Sequence, residues 1–503
     1  MASRLRILLI ASEVAPFAKT GGLADVAGAL PRALAGLGHD VRVMMPKYRG
    51  AEAHATETRV VVPSIQVPLA DRAAEGALIE ARGASGVPVY LLEHEHYYNR
   101  DSLYGTADGD YWDNCERFVF FCRAALESLA RLEAAGSGVR WQPQVIHAND
   151  WQTGLLPVYL RTLYRDHPVV GNLASLFTIH NLAYQGVFWH YDMPMTGLGW
   201  DLFTPAGIEF YGKLNFLKGA LVFSDLLTTV SRTYAREIRT AELGNGLEGV
   251  LEDRSHDLHG VVNGIDYDVW NPQKDAAIAH PYSTDDPEPK AICREALRRE
   301  LGLEDAAGPV IGVVTRLAQQ KGMDLLLQAV PGILAEGAQL VVLGSGETLL
   351  EDGFRDAAVA HPGQIAVRIG FDDELSRRIY AGSDAFLMPS RYEPCGLGQL
   401  IALRYGTAPI VRRTGGLADT VIEFDPARRT GTGFVFDAFT AEALVGAVRR
   451  AASTYRQPSP WKALIRNAMA EDFSWDASAR EYVTLYRKAL KARSGSHSPR
   501  RPA

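Results

Sequence analysis

The sequence predicts an α/β protein made of two doubly wound, parallel-sheet domains. Three observations predict it. Short apolar runs alternate with amphipathic stretches nearly end to end, the pattern of parallel strands joined by helical crossovers. The alternation starts afresh after about residue 300. One Gly-rich strand-to-helix turn occurs twice: Lys19-Thr-Gly-Gly-Leu-Ala-Asp25 returns as Arg413-Thr-Gly-Gly-Leu-Ala-Asp419, identical at six of seven positions.

In the first half, strands are expected over Leu5–Ile10, Val41–Met45, Val89–Leu92, Gln144–His147, Leu173–His180 and Leu226–Val230, with a helix from Leu23 to about Leu37. In the second half they are expected over Val310–Val314, Gln339–Leu343, Ile365–Ile369, Ala385–Pro389 and Ala408–Val411, each followed by a stretch of helical period. Pro272–Pro289, rich in Asp and Pro, reads as a surface loop near a boundary. The Ser/Pro/Arg-rich end reads as a disordered tail.

Composition narrows the function. The chain has 503 residues, 47% hydrophobic and 22% charged, enough to bury ordinary cores. A net charge of −7 argues against a general nucleic-acid or acidic-membrane binder. Four cysteines (Cys115, Cys122, Cys293, Cys395) form no CxxC pair and no disulfide framework. Ile7–Ala11 is too short for a secretory segment before Glu13 ends it, and no internal run is long enough to span a bilayer. A soluble protein of a reducing compartment, the cytoplasm, is the expectation.

Several motifs fail. Gly207-x4-Gly212-Lys213 lacks the Ser/Thr of a P-loop, and Gly344-Ser-Gly346 lacks the third glycine of a dinucleotide fingerprint. His94-Glu95-His96 is not a zinc helix motif, so no metal is expected.

Others survive. Strand ends of a doubly wound sheet are where ligands bind, and the polar clusters fall there. Arg316 and Lys321 follow the strand at Val310–Val314, on a turn closed by Gly322. Two cations so placed suit a diphosphate, although exposed cations are ordinarily solvated surface. Glu393 lies before Pro394, Cys395 and Gly396, where it can meet a ligand or cap a helix. The two Gly turns bring backbone N–H groups to helix starts, which favours an anion. His147-Ala-Asn-Asp150-Trp151 and Thr178-Ile-His180-Asn181 are further strand-end clusters.

With these residues assembled, the chain resembles the bacterial glycogen synthases over about residues 5 to 490. The matching motifs are Lys19–Asp25, His180-Asn-Leu-Ala-Tyr-Gln-Gly186, Asn263-Gly-Ile-Asp266, Arg316 with Gln320-Lys321-Gly322, Glu393-Pro-Cys-Gly396 and Arg413–Leu417. It departs from the family pattern at Gly398, Asn149 and Phe371. The resemblance implies a GT-B fold, two Rossmann-like domains facing across a deep cleft. It implies retaining transfer of glucose from ADP-glucose, a substrate, to the non-reducing end of an α-1,4-glucan such as glycogen, with no cofactor.

By the same resemblance Arg316 and Lys321 would hold the diphosphate and Glu393 the donor sugar. His180 and Asp150 would lie near the transferred glucose. Lys19, Gly21, Gly22, Asn263, Cys395 and Gly396 would contact the donor. Thr414, Gly415, Gly416 and Leu417 would cap its phosphates, and Phe371 would lie against adenine. The expected domains are 1–257 on the acceptor side and 258–470 on the donor side. A helix over 471–493 would return to the first domain, with a tail at 494–503.

Overall fold

The computed structural model describes residues 3–106, 108–132 and 139–495. The apolar run Ile7–Ile10 becomes the strand Arg6–Ile10, whose side chains after Arg6 are buried, as a strand covered on both faces requires. Its parallel neighbours are Asp40–Pro46 (Ile10 opposite Met44) and Val145–Asn149 (Ile10 opposite Ala148). Among the described residues nine strands form this sheet. Its parallel part runs Pro88–Glu93, Asp40–Pro46, Arg6–Ile10, Val145–Asn149, Ala174–Ile179, Leu226–Thr229 and Leu258–Gly260. Counting these seven in chain order gives 3-2-1-4-5-6-7, the doubly wound pattern with its reversal between Arg6–Ile10 and Val145–Asn149.

The second sheet repeats the plan. Its six strands run Ile365–Ile369, Gln339–Gly344, Val310–Val314, Ala385–Met388, Ala408–Arg412 and Phe434–Phe436, in chain order 3-2-1-4-5-6. All its pairings are parallel, and Ile311, Val313, Leu340, Val342 and Ile410 fill one core beneath it. The reversal falls between Val310–Val314 and Ala385–Met388.

Two differences from the sequence reading stand out. An antiparallel hairpin, Glu57–Leu69 with Arg72–Arg82, extends the first sheet beyond Pro88–Glu93. Pro63 and Pro68 mask it, and both sit on the outermost strand, where a missing N–H breaks no central ladder. The expected boundary at 257/258 also moves. Leu258–Gly260 pairs with Leu226–Thr229, so the first unit keeps the chain to Val261 and the second runs from Val262 to Ser474.

Ser231–Tyr234 also belongs to the second unit. There Ser231 Oγ donates to the Pro394 carbonyl at 2.6 Å, and Asp419 accepts from Thr233 N and Oγ1 at 2.8 and 2.6 Å. The helix Trp475–Gly495 belongs to the first unit, where Tyr486 and Tyr482 pack on the buried His147. This helix includes residues 494 and 495 of the expected tail; the remainder lies outside the described residues.

Candidate active site

At the reversal in the first sheet, the chain leaves Ile10 into Ser12 and Glu13, and leaves Asn149 into Asp150. Glu13 is buried and clasps the first Gly turn. Its carboxylate accepts from Thr20 N, Thr20 Oγ1 (2.8 Å) and Gly21 N (3.2 Å), and from the Tyr104 hydroxyl (2.8 Å). The anion at this turn is therefore a side chain of the protein. Lys19 Nζ pairs with Asp25 Oδ1 at 2.6 Å, both partly exposed. Gly21 opens the helix Gly22–Gly36 as its N-cap, and a Cβ there would meet no atom of the chain within 4 Å.

His180 and Asp150 are brought together. His180 N donates to Asp150 Oδ1 at 2.7 Å, and His180 Nε2 lies 3.0 Å from Asn149 Oδ1. Asn149 Nδ2 donates to the carbonyls of Ile10 and His147, so its Oδ1 accepts. His180 thus carries its proton on Nε2 and leaves Nδ1 as an acceptor. Burial pushes the His180 imidazole down to about 3, which keeps it neutral at ordinary pH. Burial pushes the Asp150 carboxyl up to about 7, against the backbone N–H groups of His180 and Asn181 and with the Glu13 charge adding to the rise. Asp150 also holds a left-handed φ of 56°, a strained conformation of the kind that collects at functional sites. His147, two residues before Asn149 on the same strand, is a buried structural residue between Tyr486 and Thr178.

At the reversal in the second sheet lie Arg316, Lys321 and Glu393. Lys321 Nζ donates to Glu393 Oε2 at 2.7 Å, and Ser390 Oγ lies 3.1 Å from the same oxygen. Glu393 is buried, so its charge is held by a matched cation and a hydroxyl. Arg316 is exposed, and its Nη2 makes a long 3.4 Å contact to Gln320 Oε1. The glycines of the failed dinucleotide fingerprint explain how its turn is built: Cβ atoms at Gly344 and Gly346 would stand 1.9 Å from the Thr315 carbonyl and 2.2 Å from that of Leu317. Those glycines let a second loop press against the turn that carries Arg316.

The second Gly turn packs on the Glu393 segment. A Cβ at Gly415 would lie 1.8 Å from the Glu393 carbonyl, and one at Gly416 2.1 Å from that of Cys395. Gly416 N donates to the Glu393 and Pro394 carbonyls, and Leu417 N to Thr414 O. Gln399 Nε2 bonds the Cys395 and Gly396 carbonyls at 3.0 Å each. The Cys395 thiol is pushed up to about 12 by burial and is no nucleophile at neutral pH. Gly398 has a packing reason too, since a Cβ there would stand 2.9 Å from the Phe386 ring. Asn263 is buried with its Oδ1 unpartnered, an acceptor without a donor. Phe371, just past Ile365–Ile369, is 91% exposed. Among the described residues no group of three or more His, Cys, Asp or Glu is placed to hold a metal ion. No helix among them is long and apolar enough to cross a membrane.

Sequence reasoning missed Glu13 and Tyr104. Glu13 registers in the sequence only as the charge that ends an apolar run, because its partners Thr20, Gly21 and Tyr104 are set by tertiary contact.

Two doubly wound sheets in one chain, each with a polar cluster beyond the same topological reversal, are the architecture of the GT-B glycosyltransferases, and the comparisons with known proteins agree. The starch synthase catalytic domain family matches residues 6–253, and the group 1 glycosyl transferases match residues 294–468. The chain is 50% identical to the glycogen synthase of Syntrophotalea carbinolica over 97% of its own length and 99% of that protein's. It is 50% identical to that of Desulforudis audaxviator, with 97% of each chain covered. The catalytic domain of starch synthase IV from Arabidopsis thaliana, solved with ADP and acarbose, superposes with a TM-score of 0.87 at 34% identity, covering 97% of this chain and all of that one. The chain belongs to the glycogen synthase family.

Proposed function

We propose that the enzyme elongates an α-1,4-glucan by moving glucose from ADP-glucose to its non-reducing end with retention, in the cytoplasm and without a cofactor. The observation that carries the donor assignment is the Ser390–Glu393–Lys321 cluster at the reversal of the second sheet, with Arg316 exposed on the neighbouring strand end. The ADP in the starch synthase IV structure supports the same choice of nucleotide.

In this reading Arg316 and Lys321 stabilise charge on the departing diphosphate. The Glu393 carboxylate, oriented by Lys321 and Ser390, takes hydrogen bonds from glucose hydroxyls. Asn263 Oδ1 finds its missing donor on the ligand. Phe371 offers a ring face to adenine. Thr414–Leu417 keeps the Glu393–Gly396 backbone in place beside the phosphates. In the first unit Lys19 and the Gly21–Gly22 turn contact the donor, while neutral His180 and Asp150 line the glucose.

Retention without inversion needs either a covalent carboxylate intermediate or front-face attack. In the front-face route, the acceptor hydroxyl bonds to the anomeric carbon as the bond to the diphosphate oxygen breaks. That diphosphate oxygen then takes the hydroxyl proton. The second route suits this chain better: Glu393 is engaged by Lys321 and Ser390, and Asp150 Oδ1 by His180 N, which leaves neither poised as a nucleophile.

The test is initial-rate transfer from ADP-glucose and UDP-glucose onto glycogen, with Glu393→Ala as control. A preference for ADP-glucose that the substitution abolishes is expected. Preference for UDP-glucose would overturn the adenine role of Phe371, and no transfer from either would overturn the enzyme reading.

A further inference from the structure

The nine-stranded sheet ends, among the described residues, on the strand Glu57–Leu69, which pairs on one side with Arg72–Arg82. On the other side every second residue turns an N–H and a C=O away from the sheet, a template on which another strand can add. Most of that edge is blunted. Pro63 and Pro68 have no N–H to offer, and the register shifts between Val60 and Val62 and again between Val62 and Ile65. The stretch before them is open. Glu57, Thr58, Arg59 and Val60 keep unbroken register with Arg82, Ala81, Glu80 and Ile79, and all four are exposed.

Alternation puts Glu57 and Arg59 on one face of the sheet, with Thr58 and Val60 on the other. The first face carries charges in rows across the strands. Buried Glu80 accepts from Arg59 Nη2 at 3.1 Å, and lies 3.4 Å from Arg42 Nη1 and 3.6 Å from Arg82 Nη2. Three guanidinium groups thus share one carboxylate. Arg59 is the outermost of them, its side chain 47% exposed. Glu57 stands directly opposite Arg82, but Arg82 turns to Glu80.

The edge therefore presents, two residues apart, an anion and a cation that shares its carboxylate with two others. Opposite charges so spaced on an antiparallel edge are complementary to themselves. A two-fold axis at the residue between them sets each anion against the other copy's cation. A foreign strand would need to bring its own matching charges; a second copy brings them by symmetry.

We infer that the edge over residues 56–60 is an interface with a second copy of this chain, the two strands adding antiparallel about a two-fold axis at Thr58. Glu57 of each copy then faces Arg59 of the other, and the crowded guanidinium groups gain a second carboxylate. On the opposite face Thr58 meets Thr58 of the other copy, and Val60 meets Thr56, pairs of β-branched side chains that suit a sheet. The charges also fix the register. Moving the axis by one residue, to Glu57 or to Arg59, would set like charges directly opposite each other. Five residues from each copy make a contact smaller than the roughly 1,200–2,000 Å² of stable complexes, so a dissociation constant of about 1–100 μM is expected.

Sedimentation velocity of the full chain, from about 1 to about 200 μM, should show the passage from monomer to dimer. Glu57→Arg sets cation against cation across the axis, and Arg59→Glu sets anion against anion. Each should raise the dimer Kd at least about tenfold. Mixed in equal amounts, the two variants restore both opposite-charge pairs and should associate as the parent does. Arg59→Glu also places a carboxylate beside buried Glu80, so a thermal melt checks its folding, and a further variant frees the test from it. Thr58→Cys brings two thiols face to face at the axis, within disulfide reach, while the chain's own four cysteines are buried. Diamide, which takes up the two hydrogens as the S–S bond forms, should cross-link that variant into a dimer. Val60→Cys should cross-link far less, since its thiols would stand about 13 Å apart along the strands. A chain still monomeric at about 200 μM overturns the inference. A dimer that Glu57→Arg leaves unchanged, or one that cross-links as readily at Val60 as at Thr58, overturns it too, by placing the contact elsewhere.

Discussion

The turn Lys19–Asp25 and the turn Arg413–Asp419 share six of seven residues and a place between strand and helix, yet they are built differently. In the first, the N–H groups of Thr20 and Gly21 are taken by a buried carboxylate, Glu13, and Gly21 faces open space. In the second, Gly415 and Gly416 are pressed against the backbone of Glu393 and Cys395 so closely that no side chain fits. The second turn is a piece of packing that sets Glu393; the first leaves room beside Gly21 for something that is not protein. One motif thus answers two physical demands, and each of the following experiments separates them.

The largest effect is expected at Gly415→Ala. Its φ is 44° and the new methyl would collide with the Glu393 carbonyl. Overpacking of this kind costs about 3 kcal/mol or more, roughly 6–12 °C in Tm for a domain of this size. Activity should fall with it, because Glu393 moves. A melt and a rate within error of the parent would break the contrast between the turns.

Next comes Lys321→Ala, which removes the cation paired with Glu393. Turnover should fall at least about a hundredfold through loss of charge stabilisation, with KM for glucan little changed. The buried carboxylate left behind adds a stability cost. Unchanged turnover would remove Lys321 from the diphosphate role.

Glu13→Gln is the counterpart in the first unit. The amide cannot accept on both sides as the carboxylate does, so the Thr20–Gly21 turn loosens by about 1–3 kcal/mol. About a tenfold loss in kcat/KM for the donor should follow, while the melting of the second unit stays put.

Asp150→Asn tests the first unit by pH. The folded carboxyl titrates at about 7 against 3.8 in the open chain, so between those values the folded state binds more protons than the unfolded one. Asp150 therefore makes stability fall as pH rises through that window. The depressed histidines act the other way. His147 and His180 titrate near 3 when folded against 6.5, so they make stability fall as pH drops. The difference between parent and variant isolates the carboxyl: the gap in denaturation midpoint should widen in the variant's favour from pH 4 to pH 7. A constant gap would mean that Asp150 is ionised throughout.

The parallel strands were legible because burial on both faces writes an unbroken apolar run, as at Ile7–Ile10 and Val310–Val314. The hairpin at Glu57–Arg82 was not, since its prolines and exposed alternation look like loop. Candidate site residues were legible where they follow a strand, as Arg316, Asp150 and His180 do. Glu13 was not, because a carboxylate announces its partners only when the chain brings Thr20, Gly21 and Tyr104 to it. Gly344 and Gly346, an incomplete dinucleotide fingerprint in the sequence, have their reason in the carbonyls of Thr315 and Leu317, which only the folded chain brings to them.

The smallest expected change is in the stability of Gly21→Ala, and it is the sharpest test of the comparison. Gly21 has φ −150° and ψ −168°, extended backbone that alanine adopts freely, and its Cβ would touch nothing. The one reason the fold gives for glycine there is the modest preference of an N-cap for glycine over alanine, so replacing it should shift Tm by no more than about 2 °C. If the space beside it holds the donor, the methyl enters that space, and KM for ADP-glucose should rise about tenfold with the melt unmoved. The same change in sequence, made at Gly415, should do the reverse and damage the fold first. Should Gly21→Ala melt early, or leave donor KM untouched, the first turn would be packing like the second, and the donor contact would have to be sought elsewhere on the strand ends.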